Sequence, residues 1–241
     1  MEFTKFKHHE SWDAFCNDKE NITELDIING ILFCKMLYPD YPNILRFQNQ
    51  DLKAAKCVIL GMEPYPSSYV DEDGLTHPVA TGRSFEVANI DDWTDKYPQA
   101  SLKNILKTIY YNEAGEIADI ETVRNKIKSG EFNILPPHDW FDNLEEQGVI
   151  FLNATLTVQP GVVGSHKKLW DVYMTNVIRY MVDQNHGLKW MIWGKDAMDR
   201  VHCIVPEENI ICSCHPRMVG FVNMNCFQYE KRIAWTGADY V

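Results

Sequence analysis

Among the seven cysteines of the 241-residue sequence (Cys16, Cys34, Cys57, Cys203, Cys212, Cys214, Cys226) there is no C-x-x-C pair, and their number is odd. That pattern argues against a disulfide framework and a thiolate zinc site, and fits a reducing compartment. Long hydrophobic runs are missing as well. None approaches the roughly 20 residues of a membrane span, and the first ten residues lack the apolar stretch of a secretion signal. An intracellular location, cytoplasmic or nuclear, with no membrane contact is expected. Repeats, low-complexity tracts and linkers are absent, so residues 1–241 are expected to form a single domain. Positive charge is scarce: 23 basic against 34 acidic side chains give a formal charge of −11, which by itself does not suggest a polyanionic partner. The deficit is uneven. Residues 1–150 carry 14 basic and 26 acidic groups, whereas residues 151–241 carry 9 and 8, so a polyanion would be met mainly by the C-terminal part.

What the sequence does contain is apolar material for a core, 45% of its residues. Short apolar runs suited to buried strands recur at 57–61, 149–153, 190–194 and 209–212. Between and around them, helical periodicity is read at 22–37, 101–111, 120–128, 169–182 and 226–235. Strands alternating with helices predict an α/β fold, a three-layer α/β/α arrangement with a central four-stranded parallel sheet, in which ligands bind beyond the C-terminal strand ends. The cysteines Cys212 and Cys214 alternate and are expected to pack on one face.

The motifs stand at those strand ends. The first run is followed by Gly61-Met62-Glu63-Pro64-Tyr65-Pro66 and, further on, Gly82-Arg83-Ser84-Phe85-Glu86-Val87. The second leads into Leu152-Asn153-Ala154-Thr155-Leu156-Thr157-Val158 and then Gly164-Ser165-His166-Lys167; the fourth leads into Cys214-His215-Pro216-Arg217-Met218-Val219. In this order, they resemble uracil-DNA glycosylases of the family 1 type, whose patterns are G-Q-D-P-Y-H, G-L-x-F-S-V, L-L-N-x-x-L-T-V, S-H and H-P-S-P. Ser101 and the closing Ile233-Ala234-Trp235 extend the likeness along nearly the whole chain.

The resemblance implies a DNA-binding repair enzyme of base excision, a glycosidase that hydrolyses the bond between uracil and deoxyribose and leaves an abasic site. It implies no metal and no organic cofactor. Positive charge develops on the sugar and negative charge on the departing base, so both must be stabilised. On that likeness Glu63 stabilises the sugar and orients water, and His215 donates to the uracil oxyanion. Asn153 reads the Watson–Crick edge with one donor and one acceptor, Phe85 stacks on the extruded base, Tyr65 blocks a 5-methyl group, and Met62 borders the base. Phosphate contacts fall to Ser101, Ser165 and Arg217, with His166 and Lys167 beside them. Val219 stands where the family has a leucine that fills the gap left by the flipped nucleotide. The other histidines, His8, His9, His77, His138, His186 and His202, read as structural.

The chain also departs from the pattern. Glutamate replaces aspartate at position 63, and a shift on the order of 1 Å in such a group costs about 100-fold in rate. Met62 replaces a glutamine, Pro66 a histidine (as in poxvirus members), Glu86 a serine, and Arg217-Met218 a serine and proline. Residues 67–79 are an acidic insertion expected next to the pocket, and Asp91, Asp92 and Asp95 would repel phosphate unless turned away. Three readings follow: a uracil-DNA glycosylase acting on single- or double-stranded DNA as a monomer; a DNA- or partner-binding module on the same fold with weakened catalysis; or a glycosylase for another modified pyrimidine. A replication partner or a protein inhibitor is among the partners the resemblance implies.

Overall fold

The computed structural model describes residues 2–237. Four strands, β1 (Cys57–Gly61), β4 (Val149–Asn153), β5 (Lys189–Trp193) and β6 (Ile210–Ser213), form one parallel sheet in the order β4-β1-β5-β6. A separate antiparallel hairpin, β2 (Ser68–Val70) and β3 (Thr76–Pro78), lies in the acidic insertion. The helices are α1 (Asp13–Cys16), α2 (Lys19–Leu32), α3 (Ala100–Ala114), α4 (Ile120–Ser129), α5 (Pro137–Glu146), α6 (Asp171–Gln184), α7 (Lys195–Val201) and α8 (Phe221–Met224).

Alternation along each strand divides the core into the two outer layers. Val58, Leu60, Ile150, Leu152, Trp190 and Ile192 face one cluster, in which Leu25 and Ile28 of α2, Tyr173, Val177 and Met181 of α6, and Ala197 of α7 are buried. Cys57, Ile59, Val149, Phe151, Met191 and Trp193 face the other, with Ile105, Leu106 and Ile109 of α3, Val123 of α4 and Trp140 and Phe141 of α5. Both faces of the inner strands are covered, which is why they read as unbroken apolar runs. Register pairs Gly61 with Asn153, so β1 and β4 end side by side.

Several expected elements shift. The helix read at 22–37 is Lys19–Leu32, begun by Asp18, whose carboxylate accepts from the backbone N–H groups of Glu20 and Asn21. The run at 226–235 is not an α-helix. A 3-10 turn at Cys226–Tyr229 is followed by irregular chain. There Trp235 Nε1 donates to the carbonyls of Phe227 and Glu230, so a side chain satisfies groups that helical N–H donors would otherwise take. Cys212 is exposed rather than packed, because one face of β6 is left partly uncovered, while Cys214 beyond the strand packs partly against the α3-side cluster. Among the described residues, no helix is long and apolar enough to cross a membrane.

Candidate active site

The C-terminal ends of β1, β4 and β6 open onto one cavity of about 450 Å³, lined by Met62, Glu63, Tyr65, Phe85, Ser101, Asn153, His215 and Arg217 among others. Its floor is Asn153, the last residue of β4, only 3% exposed. The carboxamide fits there because its neighbour across the sheet has no side chain: a Cβ on Gly61 would stand 2.5 Å from Asn153 Oδ1 and 2.7 Å from Ser84 Cβ. A buried amide with both a donor and an acceptor suits the edge of a heterocyclic base.

Phe85 forms one wall. Its φ of +66° is in the left-handed region, a conformation that costs a bulky residue on the order of 1–3 kcal/mol unless its surroundings impose it. They do. On one side Ser84 is fully buried and its hydroxyl donates to the carbonyl of Ile59 (2.9 Å). Spanning both sides, buried Arg83 donates through Nη1 to buried Glu86 (3.0 Å) and through Nη2 to Asp142 and Glu145 of α5. The Phe85 ring leans on Trp193 at 5.2 Å between centroids. Burial opposes ionisation of Glu86, yet hydrogen bonds from His138 and Thr81 and the Arg83 charge hold its carboxyl below the usual range. His138 in turn is raised by its hydrogen bond to Glu86.

His215 lies past the end of β6. Its Nδ1 accepts from the backbone N–H of Arg217 (3.0 Å); since an N–H only donates, Nδ1 carries no proton and the single proton of the neutral ring is on Nε2. Burial, aided by the Arg217 charge and opposed by Asp196, lowers the pKa of His215 below its ordinary value. Both facts favour a neutral imidazole presenting an N–H. Tyr65 is kept as a neutral phenol, because burial pushes its pKa well up. Glu63, half-buried, accepts from the backbone N–H of Gly164 through Oε2 (2.8 Å).

No protein-family model matches the chain. A uracil-DNA glycosylase of Helicobacter hepaticus is 31% identical over 206 residues, covering 83% of this chain and 77% of that protein. The chain belongs to the uracil-DNA glycosylase family. Solved structures agree on the fold. The UNG of Nitratifractor salsuginis superposes with a TM-score of 0.70 at 14% identity, covering 93% of this chain and 91% of its own. A mimivirus UNG variant in complex with UGI gives 0.64 at 25% identity, covering 88% and 70%.

Set against the uracil-DNA glycosylase pattern, eight of the twelve expected site residues line the cavity: Met62, Glu63, Tyr65, Phe85, Ser101, Asn153, His215 and Arg217. Four do not. Ser165 is exposed, and its hydroxyl accepts from Gln159 N (2.8 Å), which leaves its own proton available. His166 contacts the hydroxyl of Thr157 (2.9 Å), which also accepts from Trp170 Nε1 (2.7 Å); burial and the Lys35 charge lower its pKa. Lys167 borders an adjoining cleft that shares Met62 and Asp196 with the cavity. Val219 projects into solvent, 85% exposed, beside Met218 at 58%.

The acidic segments are largely occupied with themselves. Asp71 accepts from the backbone N–H groups of Asp73 and Leu75 and pairs with His77 (2.6 Å), closing the β2–β3 turn. Asp92 and Asp95 cap their own turn, accepting from Thr94 N and Asp92 N. None of the acidic residues of the insertion is in the cavity lining. Sequence reasoning missed Asp196, Val163 and Gln99, which do line it. Asp196 had a usable signal, since it stands three residues past the end of β5, in the first turn of α7. Among the described residues no cluster of His, Cys, Asp and Glu suits a metal ion.

Proposed function

We propose that this chain is a monofunctional DNA glycosylase that releases uracil from DNA by hydrolysis of its bond to deoxyribose. The contact that carries the reading is the one between Arg217 N and His215 Nδ1, because it leaves the proton of this cavity-lining ring on Nε2. Uracil leaves the helix at a cost of a few kcal/mol, stacks on Phe85, and pairs its edge with the carboxamide of Asn153. As the bond from sugar C1′ to the base nitrogen breaks, its electron pair passes to the base, and the oxyanion accepts from His215 Nε2–H. A preorganised donor of this kind contributes about 100- to 1,000-fold in rate. Glu63 faces the oxocarbenium-like sugar. Water adds to C1′, its proton passes by way of the carboxylate to solvent, the uracil anion takes up a proton from solvent on release, and the products are free uracil and an abasic sugar. The lack of a 5-methyl group next to Tyr65 distinguishes uracil from thymine.

Partner and setting follow from this reading. DNA is the macromolecular partner, gripped through Ser101 and Arg217 at the cavity and Ser165, His166 and Lys167 on the adjoining loop, with Val219 as wedge. The enzyme works without a cofactor as a single-domain monomer, in the cytoplasm or nucleus, where its seven free cysteines stay reduced.

The test is incubation with uracil-containing single-stranded and duplex oligonucleotides, followed by detection of abasic sites. Release is expected, and its rate is expected to fall on the acid side only below the ordinary histidine value of about 6.5, since burial lowers His215 and the neutral ring is the donor. No product at stoichiometric enzyme would reject the enzymatic reading and favour a binding module.

A further inference from the structure

We infer that Gly164 is a positioning residue for the Glu63 carboxylate, and that the two form a matched pair in which glutamate rather than aspartate has the right length. This rests on the glycosylase reading above. A glutamate at the mouth of a cavity has three rotatable bonds and, unanchored, would spread its charge over several positions, whereas orientation of a reacting group to within on the order of 1 Å is worth about 100-fold. Here one carboxylate oxygen, Oε2, accepts from Gly164 N at 2.8 Å. A carboxylate offers roughly four acceptor sites, so the remaining ones are free for water and sugar.

The donor is itself held. The loop that carries Gly164 is closed by Ser165 Oγ accepting from Gln159 N (2.8 Å) and by Val162 N donating to Gln159 O (3.0 Å). It is then tied to the Glu63-bearing segment by Gly161 N donating to Pro66 O (2.8 Å). The two loops are thus joined at two rungs, one of them through the side chain of Glu63. At Gly164 φ is +72°, and a Cβ there would meet nothing within 4 Å. Glycine is therefore favoured by the backbone that aims the N–H and not by crowding. Because Ser165, His166 and Lys167 follow directly, the segment assigned to gripping DNA is the same one that sets the carboxylate.

An aspartate is shorter by one carbon–carbon bond, about 1.5 Å, and would lose the Gly164 contact. Single-turnover uracil release by Glu63→Asp is expected to fall about 100-fold, with DNA affinity unchanged. Adding Gly164→Asn should recover a tenfold or greater part of the loss. Asparagine is the residue after glycine best tolerated at positive φ, and the open space around the Cβ position leaves its side-chain amide room to turn toward the shorter acid. Aspartate at position 63 that matches or exceeds the unaltered rate, or no recovery in the double variant, would overturn the pairing. Failure of the unaltered protein to release uracil is a different result and rejects the glycosylase reading. The contact then has its own readout in hydrogen exchange of the Gly164 amide, expected to be faster in Glu63→Ala than in the unaltered chain because the acceptor is removed. A Gly164 amide that exchanges equally fast in both proteins overturns the inference whatever the activity.

Discussion

Asn153 and Phe85 are walled in by groups reaching from several elements, whereas Ser165, Lys167, Arg217 and Val219 stand on loops where the side chains meet mostly solvent. On the first side a lost neighbour should propagate into the site. On the second it should subtract one contact and little else. The departures from the family pattern can be sorted in the same way. Glu86 is buried and comes with its own cation, Arg83, while Arg217 and Val219 changed on an exposed turn that imposes few constraints. A buried charge is tolerable only with partners that satisfy it, so such changes come in sets.

The largest expected effect therefore lies behind the cavity, at a residue that touches no substrate. Arg83→Leu strands the carboxylate of Glu86, 3% exposed, with His138, Thr81 and the Arg46 charge left to hold it. Loss of one partner of a buried pair costs about 3–5 kcal/mol, to be measured by urea unfolding. The double variant Arg83→Leu/Glu86→Ser removes the more deeply buried acid along with Arg83 and is expected to recover part of that loss, the rest staying with Glu145, which keeps Arg46 at 3.9 Å. A single variant as stable as the parent would mean that the Phe85 wall is not held by this network.

Next is Gly61→Ala, which tests whether the floor tolerates any change at all. A Cβ placed 2.5 Å from Asn153 Oδ1 must push the carboxamide aside, and displacement on the order of 1 Å costs about 100-fold. The expected result is a fall of that size in kcat/KM on a single-stranded uracil oligonucleotide, with salt dependence unaltered because no phosphate contact is touched. Activity near that of the parent would show that Asn153 has room to move.

The strands were readable because residues buried on both faces leave an uninterrupted apolar run; the place of Asn153 and His215 at the cavity follows from their standing at the ends of parallel strands, whereas their roles came from the family resemblance alone. Other features depend on the folded chain. Helix α5 begins at Pro137 with the favourable first-turn proline, yet its apolar face, Trp140, Phe141 and Leu144, is too short to stand out by period alone. The apolar spacing at 226–235 mimicked a helix because Phe227, Ile233 and Trp235 are all buried in the core, although the backbone between them is irregular. The ion network of Arg83 joins residues 59 and 62 positions apart in sequence, a pairing no local pattern announces. Nor does Glu63 reveal in sequence that its hydrogen-bond donor is 101 positions away.

The smallest expected effect is at the rim. The Arg217→Ala variant removes an exposed guanidinium but keeps the backbone N–H that fixes the tautomer of His215, so base release from bound substrate should be little changed at neutral pH. If the side chain meets one phosphate, the slope of log affinity against log salt becomes shallower by about 0.9 on duplex DNA and about 0.7 on a single strand. Its charge is also one cause of the low pKa of His215. Without it that pKa rises toward the ordinary value, and the acid limb of the rate profile moves to higher pH. Those two shifts separate a phosphate contact from a purely electrostatic neighbour. A moved acid limb with an unchanged salt slope would leave Arg217 tuning the histidine and assign the DNA grip to Ser101 and the 164–167 loop.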